Sequence, residues 1–308
     1  PEATHYNIPS AYQIRGPLDA SRLEQAINSM LQRHNALRSN FTLIEGEPVC
    51  VVRPYKNMAL QQKIVTTQEQ QKIQVHLDEF VKSFDLENDP LFRCLLLRCA
   101  DDLHILALDV HHIVADGTSF QLLLAELHAA YTGASLPAVE FQYTDYAVWQ
   151  TSDAAKQLLA SQENYWLEKL TDLPPLDLKA DYPRPHVQSF DGDYVDIEWN
   201  REESTQIITI DRPLKVTPFT LFCSTFALLL QKYTDQKQIL LGTVTAGREE
   251  HQLQNIWGMF VNTLVLKLDV NSTLSFANYV QGVQTEVLES FAHQQYPFDQ
   301  LVQKLYAS

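Results

Sequence analysis

Two apolar, partly β-branched runs, Leu91 to Cys99 and Leu103 to His111, are separated only by Ala100, Asp101 and Asp102. So short a polar break between two such runs predicts adjacent antiparallel strands. Helical signals surround them. Asp19 is a candidate N-cap for Leu23, Ala26, Ile27, Met30, Leu31 and Leu37, spaced three and four apart on one face. A second helix is expected from about Thr67 to Ser83, and Phe41 to Ile44 with Pro48 to Val52 bracket a turn at Glu45, Gly46 and Glu47. After His111 and His112, the residues Gly117, Thr118 and Ser119 open an apolar-periodic run through Leu122, Leu123, Leu127 and Tyr131. The class is mixed α and β.

Between Leu173 and His186, prolines at 174, 175, 183 and 185 mix with Asp and Lys without periodicity, as in an extended linker. A lobe boundary is expected there, giving lobes 1–175 and 176–308. The second half repeats the α-plus-β character: a helix from about Pro218 to Tyr233, strands at Gln238 to Thr245 and Phe260 to Val270, and a helix from about Ser275 to Phe291. No short-period repeat is visible.

Composition narrows the function. The 308 residues carry 23 Lys and Arg against 38 Asp and Glu, a formal charge of -15. Such a field repels phosphate backbones, which argues against nucleic acid as a partner. The 14 Phe, 13 Tyr and 4 Trp spread along the chain argue against low-complexity disorder. Cys94 and Cys99 fall at opposite parities of one strand, so they cannot easily meet. With Cys50 and Cys223 they read as buried free thiols of a reducing compartment. Neither a membrane span nor a signal peptide is visible, which predicts a cytoplasmic protein without membrane association. The chain opens on Pro1 and stops at Ser308 soon after an apolar pattern at Phe298, Leu301 and Leu305, as a fragment does.

The chemistry concentrates in Asp109-Val110-His111-His112-Ile113-Val114-Ala115-Asp116-Gly117. Adjacent side chains of an extended chain point oppositely, so one histidine can be structural while the other faces a cleft. An imidazole there can take a proton from an attacking amine, alcohol or thiol, or align that nucleophile. Asp116 could hold the loop by pairing with an arginine, or serve simply as a helix cap, and Gly117 would permit a tight backbone entry to the next helix. A metal is disfavoured: two histidines on opposite faces cannot easily share an ion, and neither Cys-x-x-Cys nor His-Glu-x-x-His occurs. Gly-x-Ser-x-Gly, Gly-x-x-x-x-Gly-Lys and Gly-x-Gly-x-x-Gly are also absent.

The heptad from His111 to Gly117 resembles the HHxxxDG signature of condensation domains of nonribosomal peptide synthetases. Further segments resemble that family's other motifs, in the expected order: Tyr143 to Gln150 (YxDYAVWQ), Gly242 to Arg248 (GTPxAGR), Gly258 to Leu264 and His293 to Asp299. The opening Ser-x-Ala-Gln-x-Arg segment and the closing Arg-Asp-x-Ser-x-x-Pro segment have no counterpart here, so the second lobe is expected to be incomplete.

The resemblance implies an α+β sandwich, two chloramphenicol-acetyltransferase-like lobes in a V around a tunnel. It implies peptide-bond formation between a donor acyl or peptidyl thioester and the α-amine of an acceptor aminoacyl thioester. Both would be held by 4'-phosphopantetheine on partner peptidyl carrier protein domains, upstream and downstream, beside an adenylation domain. No intrinsic cofactor or metal is implied. Carried over by position, His112 is the catalytic histidine, His111 is structural, Asp116 pairs with Arg248 of the other lobe, and Gly117 supports the loop. Asn262 and Ser119 are expected along the substrate channel.

Epimerization domains share the histidine motif, but they usually continue with Val-Ser-Trp where this chain has Thr118-Ser119-Phe120, and they lack the GTPxAGR pattern. Heterocyclization domains replace both histidines with aspartate. A catalytically silent docking module usually has a degraded motif, and acyltransferases using CoA donors share only HxxxD.

Overall fold

Alternation sets the first strand. Ile8, Ser10, Tyr12 and Ile14 are half-buried while Pro9, Ala11 and Gln13 are exposed, making Asn7–Arg15 the sheet-edge strand β1. The Asp19 carboxylate accepts from the Arg22 N–H and starts α1 (Ala20–Arg33), which buries Leu23, Ala26, Ile27, Met30 and Leu31. The hairpin β2 (Ser39–Ile44) and β3 (Glu47–Val52) turns through Glu45 and Gly46, both left-handed with φ of 55° and 88°. Then come β4 (Gln61–Ile64), α2 (Gln70–Phe80), β5 (Phe92–Ala100) and β6 (Leu103–His111). The computed structural model describes residues 3–65, 70–171, 173, 175–183, 185–187 and 192–307. The expected start of the 67–83 helix and part of the proline-rich stretch, Pro174 included, lie outside the described residues.

The sheet order is β1-β6-β5-β4, with β4 parallel to β5 and the other pairs antiparallel. The two apolar runs occupy its centre because both their faces are covered. Even-numbered Cys94, Leu96, Leu106, Leu108 and Val110 pack with α1 and with Phe120, Leu123 and Leu127 of the following helix. Odd-numbered Leu95, Leu97, Leu103, Ile105 and Ala107 pack beneath Ile73, Leu77 and Phe80 of α2. Each such fully buried leucine contributes about 2 kcal/mol. The same parity puts Cys94 and Cys99 in different clusters. Two cysteines depart from the expected burial: Cys50 is exposed on the outward face of β3, and Cys223 is only half-buried.

The remaining elements are α3 (Gly117–Thr132), α4 (Tyr143–Gln150), α5 (Asp153–Leu170), α6 (Arg201–Leu214), α7 (Pro218–Thr234), β7 (Gln238–Thr245), β8 (Asn262–Asp269), α8 (Phe276–Ala292) and α9 (Phe298–Ala307). The chain forms two compact units, Pro1–Ser152 with Arg248–Phe260, and Asp153–Gly247 with Val261–Ser308. This division differs from a single boundary at 175. It comes earlier because α5 buries Trp166 and Leu170 against Leu264, Tyr296 and Leu301, and the Trp166 Nε1–H donates to the His293 C=O at 2.9 Å. Elsewhere in the second unit, α7 and α8 pack Ala227, Leu230, Val280 and Val283 on Ile239, Leu266 and Leu268 of the antiparallel β7–β8 pair. Among the described residues, no helix is long and apolar enough to cross a membrane.

Candidate active site

β6 runs straight into the histidine pair. Its last residue, His111, also caps the 3-10 turn His112–Val114, with Nδ1 accepting the Ile113 N–H at 3.1 Å. That bond leaves the proton of a neutral ring on Nε2. Phe84 meets the His111 ring edge-on with centroids 5.9 Å apart, and Tyr6 lies at 6.1 Å. Burial, then the charges of His112 and His5, push the His111 pKa below its ordinary 6.5. Because the unfolded chain takes this proton more readily, the stability His111 contributes is present above 6.5 and is lost as pH falls through the lower folded value. Urea midpoints are therefore expected to fall between pH 7 and 5, less steeply in His111→Asn; equal slopes would refute this account.

His112 is placed differently. Its backbone N–H donates to the Tyr6 C=O at 2.8 Å and its C=O accepts from Ala115, while its half-buried ring makes no hydrogen bond with any described residue. The turn that carries it is pinned at the far end by Asp116.

Asp116 is wholly buried and extended (φ -130°, ψ -179°), and it caps α3. One carboxylate oxygen accepts the Ser119 N–H and O–H at 2.8 and 2.9 Å, and the other accepts the Phe260 N–H at 3.0 Å. Arg248 Nη2 lies 3.0 Å from both. The cap and the arginine pair are thus both real. Arg248 also donates to the carbonyls of Leu253, Ile256 and Gly258 and stacks over the Phe260 ring at 4.1 Å. Burial lowers its pKa from the ordinary value, and Asp116 opposes that shift. Arg248 does not reach Asp116 from the other compact unit, because the Arg248–Phe260 segment belongs to the first one, with Trp257 in its core.

Two supporting residues differ from expectation. Ser119 does not line a channel: it is wholly buried, and its Oγ bonds Asp116, the Gly258 C=O at 2.9 Å and the Gly258 N–H at 3.2 Å. Gly117 is exposed, its φ is not positive, and a Cβ there would meet nothing within 4 Å. The extended backbone of Asp116 makes the helix entry, so glycine is not needed for it. The glycine that sterics do demand is Gly258. A Cβ on it would lie 2.7 Å from Cγ of Tyr143 and 2.8 Å from Cε2. The Tyr143 hydroxyl donates to the Met259 C=O at 2.7 Å, and burial raises its pKa to about 12.

Asn262 was expected along the channel, but its amide is used within the second unit. Nδ2 donates to the carbonyls of Gln294 and Tyr296 at 2.9 and 2.7 Å, and Oδ1 accepts the Phe298 N–H at 3.2 Å. Gln162 Oε1 accepts the N–H groups of Gln295 and Tyr296, so the His293 to Asp299 segment is clamped through its backbone.

Two buried networks escaped the sequence reading. Asp109, wholly buried on β6, accepts twice from Asn7 Nδ2 at 2.9 and 3.1 Å, with Arg93 at 3.6 Å. Burial raises its pKa, against the opposing effects of Asn7 and Arg93. Asn7 follows Tyr6, so this tie anchors the start of β1 beside the carbonyl that holds His112. Glu126 of α3 bonds buried His34 at 2.6 Å and Arg33 at 3.0 Å. Burial works to raise the Glu126 pKa, but His34 and Arg33 hold it below the ordinary range. A charged residue inside an otherwise apolar strand or helix was the available signal. No group of three or more His, Cys, Asp or Glu side chains that could hold a metal occurs among the described residues.

A family model described as the condensation domain matches residues 1–307. Gramicidin S synthase 2 of Brevibacillus brevis is 38% identical over 301 residues, covering 97% of this chain and 7% of that protein. Tyrocidine synthase 3 of Brevibacillus parabrevis is 37% identical over 303 residues, covering 98% and 5%. The chain thus spans less than a tenth of these relatives. Among solved structures, the X-domain from teicoplanin biosynthesis matches with a TM-score of 0.88 at 23% identity, covering 98% of this chain and 69% of that one. The first condensation domain of the calcium-dependent antibiotic synthetase, in complex with a substrate analogue, matches at 0.80 and 24%, covering 98% and 73%. These likenesses establish the expected α+β fold of the chloramphenicol acetyltransferase type.

Proposed function

The chain belongs to the condensation-domain family, and from that premise we propose that it joins two carrier-bound aminoacyl groups by a peptide bond in nonribosomal peptide synthesis. The donor and acceptor are thioesters of 4'-phosphopantetheine on an upstream and a downstream peptidyl carrier protein domain, beside an adenylation domain. The acceptor α-amine attacks the donor carbonyl carbon, and the carbonyl π electrons move to oxygen. Collapse of this tetrahedral intermediate breaks the C–S bond and expels the donor sulfur, leaving an amide and, once the nitrogen's proton reaches sulfur, a thiol. His112 orients the amine and relays that proton.

One observation carries this reading: the His112 ring is half-buried and without a hydrogen-bond partner among the described residues, on a turn tied at both ends. Holding two thioesters in line can supply about 7–11 kcal/mol, more than a single base adds. An amine free of its proton is already a nucleophile. His112→Ala is therefore expected to lower the single-turnover rate by about 10²-fold, the low end for a general base, with an unchanged urea midpoint. The assay uses the intact synthetase with both carriers loaded. Dipeptidyl thioester from wild type with the deficit in His112→Ala supports condensation. Inversion at Cα of one loaded aminoacyl group, without dipeptide, would replace it by epimerization, and neither activity from a folded protein by a recruitment role.

A further inference from the structure

A cavity of about 710 Å³ opens in the first unit between the end of α1, the start of β2, the 53–58 segment after β3 and the 88–92 approach to β5. Exposed Pro54 and Pro90 and half-buried Met58 contribute apolar surface to it, backed by buried Leu31, Leu37, Leu91 and Phe92. Arg38, Arg53 and Lys56 line it as well, and among the described residues no Asp or Glu does. That is unexpected in a chain where acids outnumber bases by 38 to 23.

No described acid forms an ion pair with any of these cations. Arg38 donates only to uncharged acceptors, the carbonyls of Leu31 and Arg53 at 2.8 and 2.6 Å and Asn35 Oδ1 at 2.6 Å. Arg53 donates from Nε to Asn40 Oδ1 at 3.3 Å and from Nη2 to the Glu87 C=O at 3.2 Å. Lys56 makes no hydrogen bond or ion pair with any described residue. Of the adjacent acids, Asp89 pairs with Arg93 at 3.1 Å, and the Glu87 carboxylate accepts the Thr42 hydroxyl at 2.6 Å and makes no ion pair with the cavity cations. Neutral acceptors fix a guanidinium without cancelling its charge, which prepares it for an anion. The volume lies within the usual small-molecule range of roughly 300–1,000 Å³.

We propose that this cavity binds an anionic amphiphile, an apolar chain ending in a carboxylate or phosphate, with the head group against Arg53 and Lys56 and the chain against Pro54, Met58 and Pro90. The site shares no lining residue with the 111–116 turn, and it stands whether or not the chain forms peptide bonds. The test is calorimetric titration of the protein at low salt, below micelle-forming concentrations, with decanoate, decyl phosphate, decanol, inorganic phosphate and an Asp/Glu-rich peptide. Both anionic amphiphiles are expected to bind, with decanol at least tenfold weaker. Arg53→Glu and Lys56→Glu, both exposed in the wild type, are each expected to weaken binding tenfold or more, and Lys232→Glu on α7 to leave it unchanged. Equal binding of decanol, no response to the reversals, or phosphate binding as well as its decyl ester would overturn the proposal. Binding of the peptide with none of the amphiphiles would replace it with a protein-docking surface.

Discussion

Asp116→Ala is expected to destabilise the protein by about 3–5 kcal/mol, because it leaves the Arg248 guanidinium buried without its counter-charge. Against a typical total of about 5–15 kcal/mol, that is enough to abolish folding in many backgrounds. The carboxylate accepts from Ser119, Phe260 and Arg248 at once, so its removal also orphans the Phe260 N–H and the first turn of α3. Urea unfolding of Asp116→Ala, Arg248→Met and the double variant separates charge from shape. The double variant is expected to recover much of the loss, since an apolar replacement of both partners removes the unpaired charge. A single-variant cost under about 1 kcal/mol would mean that water reaches the pair, and the pinned-turn account of His112 would fail with it.

Gly258→Ala is expected to cost about 3 kcal/mol, the upper end for overpacking. The added methyl would press on a ring that cannot step aside. Tyr143 is held by its hydroxyl on the Met259 carbonyl and by edge-on contact with Phe260, centroids 5.0 Å apart. Phe260 in turn lies under Arg248, so a displaced Tyr143 disturbs the network behind His112. Combining Gly258→Ala with Tyr143→Ala is expected to cost less than the sum of the two, measured by the same urea series. Strict additivity would show that the ring and the methyl never meet.

Local pattern explains what the sequence revealed of the fold. β5 and β6 were legible because both their faces are covered, which makes every position apolar and the run unmistakable. β1 was not recognised, although Ile8, Ser10, Tyr12 and Ile14 alternate as an edge strand requires; Pro9 and the polar neighbours mask the pattern. α5 and α9 went unassigned because their burial depends on one another and on β8. In the candidate site, the pairing of Asp116 with Arg248 was legible through the motifs they complete. The place of Ser119 was not, since a residue in the first turn of a helix can face solvent or core, and only Gly258, 139 positions away, decides which. For the same reason Asn7 with Asp109 and His34 with Glu126, 102 and 92 positions apart, leave no local trace.

The thirteen residues Arg248–Phe260 leave β7 of one compact unit, join the other, and return to β8 at the Thr245–Asn262 pairing. During synthesis on the ribosome, Asp116 therefore emerges 132 positions ahead of the arginine that neutralises it. At about 5–20 residues per second the delay is roughly 7 to 26 seconds. Throughout that interval the 111–116 turn cannot close around a paired carboxylate, so the first unit cannot mature as an independent N-terminal block. Its maturation is timed by translation of the second half, and a nascent chain stalled before residue 248 should expose the 111–116 turn to protease.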